Sequence, residues 1–216
     1  MRVAYLGPPG TFGEQAAIRY AAEAERLPFP SHSGVAAAVQ AGMADTGLLA
    51  VENSVEGSVS ETLDILVHDA RLQIRGELVL PIEQCLIVPA GRQASEVQVI
   101  FSHTNALGQC RGFIERCFPK ARIEPALSTA GAVEEAMARA DAAAIASARA
   151  AELLGAEVLA RGIQDRPNNA TRFVIVGATD APPTGDDKTS LAFTTHHDRP
   201  GTLVAVLQEF AARGLN

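Results

Sequence analysis

Gly34-Val35-Ala36-Ala37-Ala38-Val39, a turn through Asp45 and the apolar Leu48-Leu49-Ala50-Val51 return further along the chain as Gly131-Ala132-Val133-Glu134-Glu135-Ala136, Asp141 and Ala144-Ile145-Ala146. Each copy reads as a helix, a turn and a strand. Two copies are too few for a solenoid, and they suit a protein of two lobes, each holding an equivalent unit that faces a shared cleft. Ala-rich helices also resemble one another by chance, so the rest of the chain has to carry the same architecture.

Outward from these units, short apolar runs alternate with stretches of helical period, the pattern of an α/β protein with largely parallel sheets. Val3–Leu6, 48–51, Val97–Phe101, Ala142–Ala146 and Phe173–Val176 are expected strands. Phe12–Arg26, Val35–Met43, Glu61–Asp69, Ala106–Phe118 and Ala130–Ala138 are expected helices. Residues 178–187 are polar, Pro-rich and without period, which marks a linker. Beyond them, Thr189–Thr195 reads as a strand, Asp198-Arg199-Pro200-Gly201 as a turn and Thr202–Arg213 as an amphipathic helix. Fewer than thirty residues cannot bury a core alone, so this tail packs on the main domain, pairs with another chain or is incomplete; the last is preferred.

The 216 residues carry a formal net charge of −7, and neither Lys nor Arg forms a run, which argues against nucleic acid or membrane as a partner. A small anion would have to be held by a few Arg side chains and by helix-start N–H groups. Three cysteines, Cys85, Cys110 and Cys117, suggest no disulfide framework or zinc site and read as buried structural thiols. His196 and His197 cannot both face one metal from a strand; neither metal nor cofactor is expected. The start of the chain reads as a strand rather than a signal peptide, and a cytoplasmic location follows as the expectation.

Three segments carry polar chemistry. Gly7-Pro8-Pro9-Gly10-Thr11-Phe12 joins the first strand to the first helix, where free N–H groups can meet an anion; it lacks the spacing of a dinucleotide or phosphate loop. Glu52-Asn53-Ser54-Val55-Glu56-Gly57 follows the strand of the first unit, at the end where open α/β sheets place ligands. Asp165-Arg166-Pro167-Asn168-Asn169-Ala170-Thr171-Arg172-Phe173 gathers amide, hydroxyl and guanidinium groups in one loop. Taken singly, the first two read more often as a tight turn with a helix cap and as an Asn or Ser cap with a solvated acidic turn, and the plain alternative for the third is a polar turn before a strand.

Together, Gly7-Pro8-x-Gly10-Thr11-Phe12, Glu52-Asn53-Ser54-x-Glu56-Gly57 and Asn169-x-Thr171-Arg172-Phe173, in that order, resemble the prephenate dehydratase family. Ser102-His103 with Ala106-Leu107-Gly108-Gln109-Cys110 resembles a further family segment, although Thr104-Asn105 stands where the family usually has Pro-Gln. The resemblance implies a two-lobed, type II periplasmic-binding-protein-like catalytic domain over 1–177. Lobe one would hold about 1–77 and 161–177, and lobe two about 78–160. Residues 188–216 look like the start of an α+β ACT domain that binds phenylalanine, with Gly201, Leu203, Val204 and Asn216 lining part of an effector site. The family's later Glu-Ser-Arg-Pro segment does not occur. No chorismate mutase segment precedes Gly7, so a fused bifunctional enzyme is not expected.

The activity implied is decarboxylating dehydration of prephenate to phenylpyruvate, a hydro-lyase step of phenylalanine biosynthesis under phenylalanine feedback, in a homodimer or homotetramer. The resemblance assigns proton donation to Thr171, favoured here over Glu52 or Glu56, either of which would serve if buried with a raised pKa. Arg172 would bind a carboxylate or orient the Thr171 loop, and Phe173 would pack that loop on its strand. Thr11, Asn53, Ser54, Ser102, Gln109, Ser147 and Asn169 are candidates for polar contacts to substrate, with helix capping the plain alternative for the three serines. Two other functions fit the same architecture: a cytoplasmic sensor of amino or keto acids, and an arogenate dehydratase.

Overall fold

A computed structural model describes residues 1–69, 71–195 and 199–215. The chain divides into two compact units, Met1–Pro182 and Pro183–Asn216.

The first unit holds two sheets. In one, β1 (Arg2–Leu6), β2 (Glu25–Phe29), β3 (Thr46–Asn53), β4 (Gly57–Ser58), β5 (Gln73–Pro81) and β11 (Ala170–Gly177) run in the order β2-β1-β3-β11-β5, with β4 paired to β3. In the other, β6 (Cys85–Val88), β7 (Val99–Ser102), β8 (Arg122–Pro125), β9 (Ala142–Ala146) and β10 (Glu157–Arg161) run β10-β6-β9-β7-β8. Helices α1 (Phe12–Tyr20), α2 (His32–Gln40) and α3 (Ser60–Asp64), the last extended by a π turn at Ile65–Asp69, pack on the first sheet. Helices α4 (Thr104–Gln109), α5 (Arg111–Cys117), α6 (Thr129–Met137) and α7 (Ala148–Leu154) serve the second.

The repeated sequence pattern is a repeated topology. β2-β1-β3 and β8-β7-β9 are both parallel trios, each followed by two antiparallel strands. The helices of the two copies start alike, with Ser31 Oγ accepting from Gly34 N at 3.0 Å and Ser128 Oγ accepting from Gly131 N at 2.9 Å. Alternating residues then fill two faces: Val3, Tyr5, Leu48, Phe173 and Ile175 meet α1, while Ala4, Leu49, Val51, Val174 and Val176 meet α2.

Several expectations are revised. The sheets are only partly parallel, because the chain passes between the lobes as extended segments rather than through helices: β11 and β6 run opposite to the trio of their sheet, while β5 and β10, each antiparallel to one of these, run with it. The strand containing Glu77 continues to Pro81, so the crossings fall at 82–84 and 162–169. The helix expected to reach Arg26 stops at Tyr20; Glu25–Phe29 becomes an edge strand, where Pro28 leaves no ladder donor missing from the interior. The helix expected over 106–118 divides at Cys110.

Cys85 and Cys110 are buried, but Cys117 ends α5 in solvent and is not a structural thiol. Burial pushes the Cys110 thiol up to about 12, reinforced by Asp165, and burial also raises Cys85. No helix among the described residues is long and apolar enough to cross a membrane.

In the second unit, α8 (Thr202–Ala212) starts at Gly201, whose φ of +88° is open to glycine. Residues 189–195 form no strand, and no described strand pairs with them. No residue of α8 is buried.

Two outcomes follow from the packing. A Cβ at Gly47 would sit 2.9 Å from Val35 Cγ1 and 3.0 Å from Val39 Cγ2, so Gly47→Ala should lower the urea unfolding free energy by about 1–3 kcal/mol through overpacking of α2 on β3. Iodoacetamide at neutral pH should label Cys117 in the native protein and reach Cys85 and Cys110 only after unfolding, as mass spectrometry would read.

Candidate active site at the lobe junction

The carboxyl ends of both parallel trios face the junction, and the two crossing segments run side by side there. Ile82 N donates to Asn169 O at 2.9 Å, Ile163 N to Gln84 O at 3.1 Å and Gln84 N to Gln164 Oε1 at 3.0 Å. Return strand β11 enters between β3 and β5, with Thr171 opposite Asn53 on one side and Leu80 on the other.

Asn53 sets the polarity of this site. Its Oδ1 accepts from the backbone N–H of Val55 at 2.9 Å and of Glu56 at 3.1 Å, which settles which end of the amide is oxygen. Its Nδ2 therefore donates to Asn169 Oδ1 at 2.8 Å and to Thr171 Oγ1 at 2.9 Å. Asn169, 3% exposed, must then offer Nδ2 to Gln109 Oε1, 2.8 Å away, and Gln109 in turn donates from Nε2 to Glu56 Oε1 at 3.1 Å. Thr171 receives a hydrogen bond from Asn53, so its own O–H proton is free to point elsewhere.

Ser54 fastens the same corner. Its hydroxyl donates to Asn168 O at 3.1 Å and accepts from Ala170 N at 3.0 Å. A hollow of about 110 Å³ opens beside the amides, lined by Val55, Gly108, Gln109, Gln164, Arg166 and Asn169 among others. Small-molecule sites usually exceed about 300 Å³, so this hollow is smaller than such a site.

Asn53, Gln109, Asn169 and Thr171 are thus brought together; other candidates are placed elsewhere. Thr11 Oγ1 is occupied as the α1 cap, bonding Leu6 O, Pro8 O and Glu14 N. Ser102 is buried and donates to Ile145 O at 2.5 Å. Ser147 donates to Gly10 O of the opposite lobe at 2.7 Å and caps α7, so it joins the lobes rather than facing the hollow. Phe173 lies in the core with Tyr5 and Leu80. Arg172, next to Thr171 on β11 where the register with β3 shifts, is held by Glu52 at 3.5 Å and Glu77 at 3.1 Å. Glu52 and Glu56 are exposed, so the burial that their role as acids required is absent.

Residues not anticipated also join the lobes. Glu14 accepts from Gly10 N at 2.8 Å and pairs across the junction with Arg149 at 3.6 Å, while Gly10 comes within Cβ reach of Ala150. The Thr11-x-x-Glu14 spacing of a capping box was its visible signal. In the second unit, Gly201, Leu203 and Val204 line a hollow of about 440 Å³ with Phe193 and Arg199; Asn216 lies outside the described residues.

Fold and site define a two-lobed α/β protein with a polar, closable junction at the carboxyl ends of its strands. A family profile described as prephenate dehydratase matches residues 3–181. The bifunctional chorismate mutase/prephenate dehydratase of Stutzerimonas stutzeri is 38% identical over the whole chain, which spans 59% of that protein's length. The crystal structure of prephenate dehydratase from Arthrobacter aurescens in complex with L-Phe superposes with a TM-score of 0.83 at 33% identity, covering 99% of this chain and 73% of that one. GqqA, described as a novel type of quorum-quenching acylase, gives 0.82 at 30% identity, covering 100% of this chain and 79% of its own. The chain belongs to the prephenate dehydratase family.

Asn53→Asp keeps the shape but sets a carboxylate oxygen against Asn169 Oδ1, an acceptor, in place of the donor that served both it and Thr171. It should lower the unfolding free energy by about 2–3 kcal/mol in urea titrations.

Proposed function

We propose that this chain carries out the decarboxylating dehydration of prephenate to phenylpyruvate, with Thr171 donating the proton to the departing hydroxyl. The observation that carries this reading is the direction of the Asn53–Thr171 hydrogen bond, which leaves the threonine proton for the substrate. Loss of the ring carboxylate as carbon dioxide sends its electron pair through the diene and expels the hydroxyl, and aromatisation drives the step. The protein has to hold the dianion in the reactive geometry and meet charge as it develops on the leaving oxygen. A threonine is a weak acid, so its bond to that oxygen matters most as the C–O bond breaks. Asn53 Nδ2 then stabilises the negative charge on Oγ1 until solvent returns the proton.

Arg166, on the wall of the hollow, is the group we assign to a substrate carboxylate. Arg172, already between two carboxylates, serves to orient β11. Gln109 and Asn169 contribute amide contacts. Ser54 holds the loop, and Thr11, Ser102, Ser147 and Phe173 support the elements around it. Entry requires the lobes to part, since the hollow is too small for the substrate.

Similarity to a quorum-quenching acylase raises a second reading, acyl hydrolysis with Thr171 as nucleophile. A hydroxyl nucleophile needs a base that accepts its proton, whereas the side chain bonded to Thr171 Oγ1 donates. The polarity favours proton donation.

The deciding assay is phenylpyruvate formation from prephenate at neutral pH, with arogenate and an N-acyl amide in parallel. Prephenate turnover should fall by about 10²–10⁴ in Thr171→Ala, with stability changed by less than about 1 kcal/mol. A mutant near wild-type turnover would remove Thr171 from the role. Binding of prephenate without turnover would favour a sensor.

Phenylalanine feedback through Gly201, Leu203, Val204 and Asn216, and assembly into a dimer or tetramer, belong to the same proposal; the complex of the Arthrobacter enzyme with L-Phe supports the effector's identity. Leu203 and Val204 are exposed, so calorimetry on the 216-residue chain should find phenylalanine binding weaker than about 0.1 mM.

A further inference from the structure

Gln84 lies on the first crossing segment, 3% exposed, and its Oε1 is buried without a hydrogen-bond partner. A buried orphan acceptor costs about 1–3 kcal/mol, and an apolar residue of the same shape would avoid that cost. Its other atoms are all engaged at the junction. The backbone N–H and C=O tie the two crossings together through Gln164 and Ile163, and Nε2 donates to Gln109 Oε1 at 3.3 Å.

Gln109 Oε1 is thereby faced by two donors, Gln84 Nε2 and Asn169 Nδ2. A flipped Gln109 would set an NH₂ against both. If only Asn169 opposed the flip, the two amides could turn together, and Asn169 would then meet Asn53 Nδ2 donor to donor. Gln84 is a second donor to the same oxygen, and it sits on the first crossing segment.

We propose that Gln84 is a positioning residue for the dehydration: from the first crossing segment it holds the Gln109 amide in place and, through Asn169, supports the position of the Asn53 amide that donates to Thr171. This rests on the dehydratase reading above. The reason to retain a buried orphan is then catalytic, and the signature is a separation of activity from stability.

Gln84→Met removes both the donor and the orphan. Its kcat on prephenate should fall about 10-fold while KM stays within about 2-fold, and its melting temperature should match or exceed that of the wild type. Gln84→Glu supplies a second test, because only its protonated carboxyl can donate to Gln109. The activity of Gln84→Glu relative to wild type should rise as pH is lowered from about 8 to about 5.5, in the range to which burial lifts a carboxyl. Wild-type kcat in Gln84→Met, a melting temperature reduced in proportion to the lost activity, or a flat Gln84→Glu ratio would each overturn the inference. Absence of prephenate turnover in the wild type would instead overturn the dehydratase reading.

Discussion

Strand β11 has no place to go except between β3 and β5, and the rest of the first unit follows from that insertion. Its neighbours leave an interior position beside edge strand β5 open until the chain has built the whole second lobe and come back. The interior position satisfies both backbone edges of β11 and buries Phe173, Val174, Ile175 and Val176, so the return is strongly favoured. The same insertion brings the crossings at 82–84 and 162–169 side by side, and it sets Thr171 against Asn53 across a pair of strands distant in sequence. A junction built this way is a by-product of closing a sheet.

The chemistry at the junction depends on direction more than on distance. Amides present donor and acceptor ends of nearly equal size, so a row of them has alternative settings unless something asymmetric pins one end. Here two backbone N–H groups in the turn after β3 do so at Asn53, and the choice propagates through Asn169 to Gln109. The turn that looks like a routine cap in the sequence is the source of the site's polarity.

Elements with a strong local period were legible: β1, β3, β7, β9 and β11, and helices α2 and α6, follow from apolar runs and Ala-rich helical spacing. β2, β5, β8 and β10 were not, because they alternate exposed and half-buried residues at or near sheet edges, where composition carries little signal. The polar site was legible only through the three motifs taken together. Asn53, Asn169 and Thr171 could be grouped as segments that should meet, whereas Ser102 and Ser147 could not be told from site residues, since a serine after a strand looks the same whether it faces a cleft or a carbonyl. For Arg172 the sequence left carboxylate binding and loop orientation both open, for a different reason. Adjacent residues on a strand face opposite ways, and a motif read as a string hides that alternation. Gln84 and Arg149 gave no signal alone, because each acquires meaning only from a partner in a distant segment.

The bridge from Ser147 to Gly10 and the pairing of Arg149 with Glu14 join the lobes at a point other than the two crossing strands. Any parting of the lobes would have to break this second attachment while the crossing segments bend. The time the cleft spends open is then governed by a handful of contacts that touch no reacting atom. Because a ligand too large for the hollow must wait for those openings, its apparent affinity carries the open fraction as a multiplier. Selection acting on Gly10, Glu14, Ser147 or Arg149 could therefore retune how much ligand is needed for half-saturation without touching the polar cluster itself.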